Sequence, residues 1–448
     1  LKKIFRRIEK TILFLVKLFM FAGLCGIFFW MFYYEYPFMF DLSRTTAITY
    51  STFIVSGVLF IRIYGGFAIG EKKDNEIINS LALATLMCDL TTFFSLSIMT
   101  QELTLQNIGV LILIYLAQLI IIITFTWLGN FIYFKLFDPE PCLVVYGNPD
   151  TLPASCEKLK KYRKQWCVSK EILYDDADIK REIRAHKCIF LFDVPATERN
   201  AIIEYSYKHN KNIHFTPDVS DIITKHAQQT MLDDMAVFSS ASRGLTFEQL
   251  FIKRVSDIVF SALSLAIAAP VMIIEAIIIR ICDGSPVMIK QERMTRSGRV
   301  FMMYKFRTMV TDAEKDGATP SYDGDPRITR VGRFLRRYRL DELPNFFNIF
   351  MGDMSFVGPR PEQLEIAKEY EKDMPEYKYR LKVKAGLTGI AQISGKYNTS
   401  PRDKLTLDLL YIERYSVWID LLLLLQTFKV LLKSDSTEGF KQDDSDIS

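Results

Sequence analysis

Histidine is scarce in this chain. Only His186, His209, His214 and His226 are present, and the last two hundred residues contain none. Acid–base or nucleophilic chemistry in that half must use carboxylates, Lys, Tyr, Ser or its one cysteine, Cys282. The seven cysteines (25, 88, 142, 156, 167, 188 and 282) are odd in number, scattered and never spaced CxxC. That pattern argues against a disulfide framework and against a structural zinc site. The histidine spacings of 23, 5 and 12 match no zinc pattern either. Neither sign of charge dominates: 56 Lys and Arg against 52 Asp and Glu leave +4, which alone says little about partners. Over 448 residues, 49% hydrophobic and 24% charged content excludes a disordered chain or a collagen. It leaves a membrane protein open, because a mean hides segregation.

The apolar residues are in fact segregated. Leu18–Tyr34 and Thr45–Ile61 are uncharged runs of 17 residues, Ile77–Gln101 is broken only by Asp89, and Leu103–Phe134 is uncharged over 32 residues. A bilayer takes about 20 mostly apolar residues per helix, so four transmembrane spans are predicted within residues 1–137. The first is too long and aromatic for a signal peptide and lacks a small-residue cleavage site. Lys2, Lys3, Arg6, Arg7 and Lys10 precede it, which predicts a cytoplasmic N-terminus, and four spans return the remainder to the cytoplasm. Asp89 reads either as a polar residue paired inside the bundle or as part of an ion path; no partner charge in the other spans favours the former.

Short apolar runs at Leu143–Tyr146, Ile189–Phe192 and Asn212–Phe215, each followed by a charged helical stretch, predict a small parallel α/β domain over residues 138–248. It is Rossmann-like but degenerate. The first turn reads Tyr146-Gly147-Asn148-Pro149-Asp150 instead of GxGxxG, which argues against a working dinucleotide site and for a structural or regulatory role.

A fifth apolar run, Ile258–Ile274, contains Pro270 and ends at Glu275. Basic residues flank both sides: Lys253 and Arg254 before it, then Arg280, Lys290, Arg293, Arg296 and Arg299. A kinked transmembrane helix and a re-entrant hairpin over about 256–281 both fit; charge at both ends and the proline favour the hairpin. The basic stretch Arg327–Arg339 has helical period, and beside a membrane segment it suits lipid headgroups or a phosphorylated substrate better than nucleic acid. Leu421–Leu432 reads as another amphipathic or buried helix.

Leu340-Asp341-Glu342-Leu343-Pro344 follows those arginines, and Pro344 predicts a helix starting there with the two carboxylates at its entry. In the field of a helix N-terminus and several arginines both can stay ionised. One can attack phosphorus and the other hold a divalent cation; a helix cap with an incidental acidic pair is the alternative.

From Lys253 to Lys433 the chain resembles the bacterial sugar transferases, monotopic phosphoglycosyl transferases that start polysaccharide assembly on a polyprenyl phosphate carrier. The resemblance lies in ordered motifs: Lys253-Arg254-Val-Ser-Asp257, Gly284-Ser285-Pro286-Val287, Gln291-Glu292-Arg293, Tyr304-Lys305-Phe306-Arg307-Thr308-Met309 and Arg333-Phe-Leu-Arg336-Arg337. The acidic motif follows, then Met354 to Glu362 (MSFVGPRPE), Gly386-Leu387-Thr388-Gly389 and Leu407-Asp408-Leu409-Leu410-Tyr411-Ile412. It implies a mainly α catalytic domain (249–448) on the cytoplasmic face of the cell membrane, with Pro270 breaking the re-entrant helix and Asp257 as a structural residue at its start. It further implies that Asp341 attacks the sugar-bearing phosphate of a UDP-sugar, UMP leaves, and polyprenyl (undecaprenyl) phosphate takes the phosphosugar, the first membrane step of capsule, exopolysaccharide or O-antigen synthesis. Glu342 would bind Mg²⁺. Lys305 and Arg307 can neutralise a diphosphate, and Arg336 and Arg337 can contribute to phosphate binding. Arg360, fixed between prolines, can meet a phosphate or uracil, and Glu362 can add a metal or ribose contact. Lys396, Ala391 and Tyr415 depart from the family pattern. Rival readings are a transporter or flippase working through Asp89, and a scaffold whose middle domain senses a nucleotide. A homodimer through the middle domain is compatible with this organisation.

Overall fold

The computed structural model describes residues 2–33, 43–66, 70, 72, 74–101, 105–162, 165–225, 227–239, 244–311, 313, 325–395 and 399–431. His226 and Lys396 lie outside them. The chain forms two compact units, residues 1–216 and 217–448.

The first unit opens with four long helices, α1 (Lys2–Tyr33), α2 (Arg44–Tyr64), α3 (Asp74–Thr100) and α4 (Leu105–Leu136). Each is long and apolar enough to cross a membrane. Ser43 caps α2 by accepting the Thr46 N–H at 3.1 Å, and Gly65, at φ 68°, ends it in the left-handed conformation that a glycine adopts without steric cost. Phe28, Phe29, Phe32, Phe53 and Phe93 pack together inside the helix group, whereas Phe14, Phe94 and Ile120 point outward. Asp89 is buried and accepts a hydrogen bond from Gln118 Nε2 at 3.3 Å; its partner is a neutral amide, a kind of residue that charge counting passes over.

The α/β part runs β1 (Glu140–Tyr146), α5 (Leu152–Lys160), β2 (Trp166–Leu173), α6 (Ile179–Ala185), β3 (Cys188–Phe192), α7 (Ala196–Lys208) and β4 (Asn212–Phe215). The sheet is parallel in the order β2-β1-β3-β4. Cys142 to Val145 are fully buried, as expected for a central strand covered on both faces. The fold's switch point, where a nucleotide would enter, lies between β1 and β3. There a Cβ on Gly147 would stand 1.9 Å from the Asp193 carbonyl oxygen, so only glycine lets the turns after β1 and β3 approach this closely. His214 stacks on Phe190 with ring centroids 4.6 Å apart, and His186 bonds Ser169 Oγ at 2.8 Å; both serve the packing of this part.

The second unit begins with α8 (Val219–Lys225) and a hairpin of β5 (Gln228–Leu232) and β6 (Met235–Ser239). Then comes α9 (Phe247–Cys282), a 36-residue helix with Pro270 inside it and a fifth candidate span. The helix continues past Glu275, where the apolar run in the sequence stops. A capping box starts it: Thr246 Oγ1 accepts the Gln249 N–H while Gln249 Oε1 accepts the Thr246 N–H. An antiparallel pair follows, β7 (Met288–Met294) and β8 (Val300–Phe306), then α10 (Arg330–Arg337), a 3-10 turn at Leu340–Glu342 and α11 (Asn345–Met351). The remainder is β9 (Ser355–Val357), α12 (Leu364–Asp373), a 3-10 stretch Pro375–Lys382, β10 (Gly386–Thr388), α13 (Ile390–Ser394), α14 (Pro401–Glu413) and α15 (Val417–Leu431). This part is mainly helical, with β9 and β10 a short parallel pair at its centre. A Cβ on Gly386 would meet the Gly358 nitrogen at 2.1 Å, so only glycine lets these chains approach. Ile349, Met354, Val357, Tyr377, Leu405 and Tyr411 form the core beneath them.

Candidate active site

Asp341 and Glu342 sit in the 3-10 turn between α10 and α11. Arg339 enters that turn at φ 54°, a left-handed geometry uncommon for a side-chain-bearing residue, and Pro344 caps α11 just beyond it. Beyond this entry Glu342 meets β8 and the segment after β9. From β9, the Gly358-Pro359-Arg360-Pro361 segment brings Arg360 Nη2 to Glu342 Oε1 at 2.7 Å. From β8, Lys305 Nζ reaches the same oxygen at 3.8 Å.

The two carboxylates are treated differently. Burial opposes the Glu342 charge, but Arg360, Lys305 and Arg339 overcome it and hold the group well below the usual carboxylate range. Asp341 makes no hydrogen bond or ion pair with any described residue. Burial, then the neighbouring Glu342 charge, raise its carboxyl above the ordinary value against the pull of Lys305, Arg336 and Arg360. Burial brings Lys305 down to about 8 although Glu342 favours its charge. One carboxylate is therefore clamped and ionised, and the other is unclamped beside it within a cluster of cations. This arrangement suits a nucleophile facing a phosphate.

Of the residues singled out in the sequence, Lys305 and Arg360 meet the pair through Glu342. Arg336 acts on Asp341 by charge while its Nε donates to Thr308 Oγ1 at 2.8 Å. Glu362 pairs with Lys404 at 3.3 Å and Arg380 at 4.0 Å, beside Arg360. Arg307 and Arg337 are not brought to the pair. The Arg307 guanidinium is buried and donates to the carbonyls of Asp283 and Gly284, at 2.5 and 3.1 Å; Arg337 is exposed and lies over the Tyr338 ring. Asp257 accepts the Ser355 hydroxyl at 2.9 Å and the Phe356 N–H at 3.0 Å, which ties the start of α9 to β9.

A family model for bacterial sugar transferases matches residues 248–434, the stretch that builds this site. Over 185 residues the chain is 40% identical to the UDP-N-acetylgalactosamine-undecaprenyl-phosphate N-acetylgalactosaminephosphotransferase of Aeromonas hydrophila, covering 41% of this chain and 44% of that one. It is 35% identical over 219 residues to the UDP-glucose:undecaprenyl-phosphate glucose-1-phosphate transferase of Escherichia coli, covering 48% and 47%. The protein of that name from Caulobacter vibrioides is 37% identical over 189 residues, with 41% of this chain and 71% of that one covered. The chain belongs to the bacterial sugar transferase family. The match spans about half the length of the first two relatives and most of the third.

Around the acidic pair, the sequence alone assigns no role to four residues. Arg380 is buried in an ion pair with Asp408, 2.7 Å, and donates to the Arg360 carbonyl at 2.7 Å, so it fixes the backbone that carries Arg360. Asp408 lies within a family motif, which is its only sequence signal. Arg339 has no signal beyond its place in a basic run. Glu275 looks like the polar end of an apolar run, yet on α9 it is 4% exposed, neither of its oxygens has a partner, and Asp341 is the charged group that acts on it.

An ionised Glu342 beside an unclamped Asp341 offers the hard oxygen atoms that Mg²⁺ takes. Among the described residues no three His, Cys, Asp or Glu side chains close a cage. The residues therefore fit a cation that completes its shell with substrate phosphate and water.

Proposed function

We propose that this chain transfers a sugar-1-phosphate from a UDP-sugar to polyprenyl phosphate, undecaprenyl phosphate in the relatives' names, with release of UMP. The observation that carries this reading is the split pair: Glu342 clamped by Arg360 and Lys305, and Asp341 next to it with no hydrogen bond or ion pair among the described residues. An Asp341 oxygen attacks the phosphorus bearing the sugar. The bond from that phosphorus to the oxygen of UMP breaks, and UMP departs with the electron pair. In the second step a phosphate oxygen of the polyprenyl carrier attacks the same phosphorus, and the bond to Asp341 breaks to return the carboxylate. Lys305 and Arg360 meet the developing negative charge, and Arg336 adds to that field. Mg²⁺ held through Glu342 would neutralise diphosphate oxygens and help UMP leave.

The same reading gives α9 a re-entrant course. Its two ends are tied to one domain: Lys253 Nζ bonds Asp420 Oδ2 at 2.5 Å and Asp257 bonds Ser355, while Ile279 packs with Phe306 and Leu335. The helix runs unbroken through Pro270, so the break expected there is not seen, and basic residues on both flanks are what support the re-entrant course. The catalytic part then works on the cytoplasmic face of the cell membrane, at the first membrane step of a surface polysaccharide, with a homodimer through the α/β part as its assembly.

The names of the relatives include both N-acetylgalactosamine and glucose, so the test is UMP release across a panel of UDP-sugars with Mg²⁺ and polyprenyl phosphate. One donor is expected to support turnover that Asp341→Asn abolishes. Undiminished UMP release by that variant would overturn the reading.

A further inference from the structure

Glu275 is at odds with its surroundings. It lies on a helix whose outward residues are apolar, it is 4% exposed, and both carboxylate oxygens are buried without a hydrogen-bond donor. No Lys, Arg or His of the described residues forms an ion pair with it, and the charge that acts on it, Asp341, has the same sign. A buried carboxylate in this state is costly, and replacing it by an apolar residue would relieve the cost. Its neighbours show where it faces. Met272, Ala276 and Ile279, on the same helix, pack with Phe306, Leu335 and Leu340. Leu340 opens the 3-10 turn whose next residue is Asp341. This face of α9 therefore lies toward the turn that carries Asp341.

We propose that Glu275 is a ligand of the divalent cation held at the Asp341–Glu342 pair, reaching it from the membrane helix. The inference rests on the cation reading given under the proposed function. A cation between like charges removes the repulsion that the protein alone leaves unanswered, and a small ion needs no larger cavity. Glu342 is already engaged by Arg360 and Lys305, so a second carboxylate strengthens a site that one clamped glutamate would hold weakly. A ligand carried by α9 also puts the ion at the border between apolar helix and polar site. A lipid-linked phosphate and a water-borne diphosphate would meet at that border.

The test is Mn²⁺ binding to the full chain in lipid nanodiscs, followed by electron paramagnetic resonance with and without UMP. The wild type is expected to hold one Mn²⁺. Glu275→Gln is expected to raise its Kd at least tenfold and to raise the Mg²⁺ concentration for half-maximal UMP release by a similar factor. Without metal, Glu275→Gln is expected to melt at the same or a higher temperature, because a buried unpaired charge is gone. Glu275→Asp, which keeps the charge on a shorter arm, is expected to bind Mn²⁺ more weakly than the wild type and decides the matter if the glutamine variant aggregates. Unchanged Mn²⁺ affinity in the Glu275 variants, with binding lost in Glu342→Gln, overturns this inference alone. A wild type that binds no Mn²⁺ with or without UMP overturns the cation reading and this inference with it.

Discussion

Lys305 is the residue whose chemistry gives the sharpest quantitative expectation. Its ammonium lies 3.8 Å from Glu342 Oε1, and burial brings its pKa down to about 8, with Arg360 and Arg293 acting in the same direction. A lysine so placed is charged below that pH and neutral above it, so its help to a diphosphate is present at pH 7 and fades as pH rises. One unit above the pKa only about a tenth of the molecules keep the proton. If the charge is needed to bind or stabilise the transferring phosphate, kcat/KM for UMP release, which reports the free enzyme, falls about tenfold between pH 7 and pH 9. Lys305→Arg replaces the group by one that stays charged throughout this range. Its absolute rate is expected to be lower, because guanidinium geometry differs, but its basic limb should vanish. The assay is initial-rate UMP release at fixed free Mg²⁺ from pH 5 to pH 10 for both proteins. A wild-type profile flat to pH 10, or an arginine variant with the same basic limb, would refute the assignment.

Three further outcomes follow from the same geometry. The acid limb of that profile is expected above the ordinary aspartate value of about 3.9, because burial and Glu342 raise the Asp341 carboxyl and a protonated carboxyl cannot attack; a limb at or below that value contradicts it. Arg380→Met breaks an ion pair whose side chains are 5% and 2% exposed, and removes the donor to the Arg360 carbonyl, so a loss of about 3–5 kcal/mol in stability is expected. Thermal melting in detergent measures it, and restored activity in an Arg380→Lys variant would argue that charge alone suffices there. Asp257→Ala removes two hydrogen bonds to a charged acceptor, each worth about 1.5–3 kcal/mol, and should loosen α9 from β9. Limited proteolysis around residues 244–246, just ahead of α9, should accelerate in that variant, and an unchanged digestion pattern would count against the tie.

Much of this architecture is legible in the sequence because burial writes itself into composition. The uncharged runs become α1 to α4, and three apolar runs become β1, β3 and β4. β2 leaves no such mark: it is the edge of the sheet, and its alternation Trp166-Cys-Val-Ser-Lys-Glu-Ile-Leu173 is half exposed. Pro344 correctly locates the start of α11, but the left-handed Arg339 that sets the acidic pair in a tight turn has no residue-type signal. Side-chain direction is the least legible property. Lys305 and Arg307 are two residues apart and read as one phosphate-neutralising pair, yet β8 ends at Phe306 and Arg307 turns to carbonyls of the segment after α9. Glu275 shows the same limit from the other side. In sequence it closes an apolar run, whereas on the helix its neighbours place it against the turn that carries Asp341.

The claim on which all of this depends is that Asp341 carries the phosphosugar. Incubating the full chain with its UDP-sugar and Mg²⁺ in the absence of polyprenyl phosphate, quenching rapidly and mapping peptides by mass spectrometry tests it directly. The expected result is one sugar-phosphate adduct on the Asp341 peptide, formed with an equimolar burst of UMP and discharged on adding polyprenyl phosphate. Turnover with no adduct, or an adduct on another residue that persists in Asp341→Asn, would contradict it.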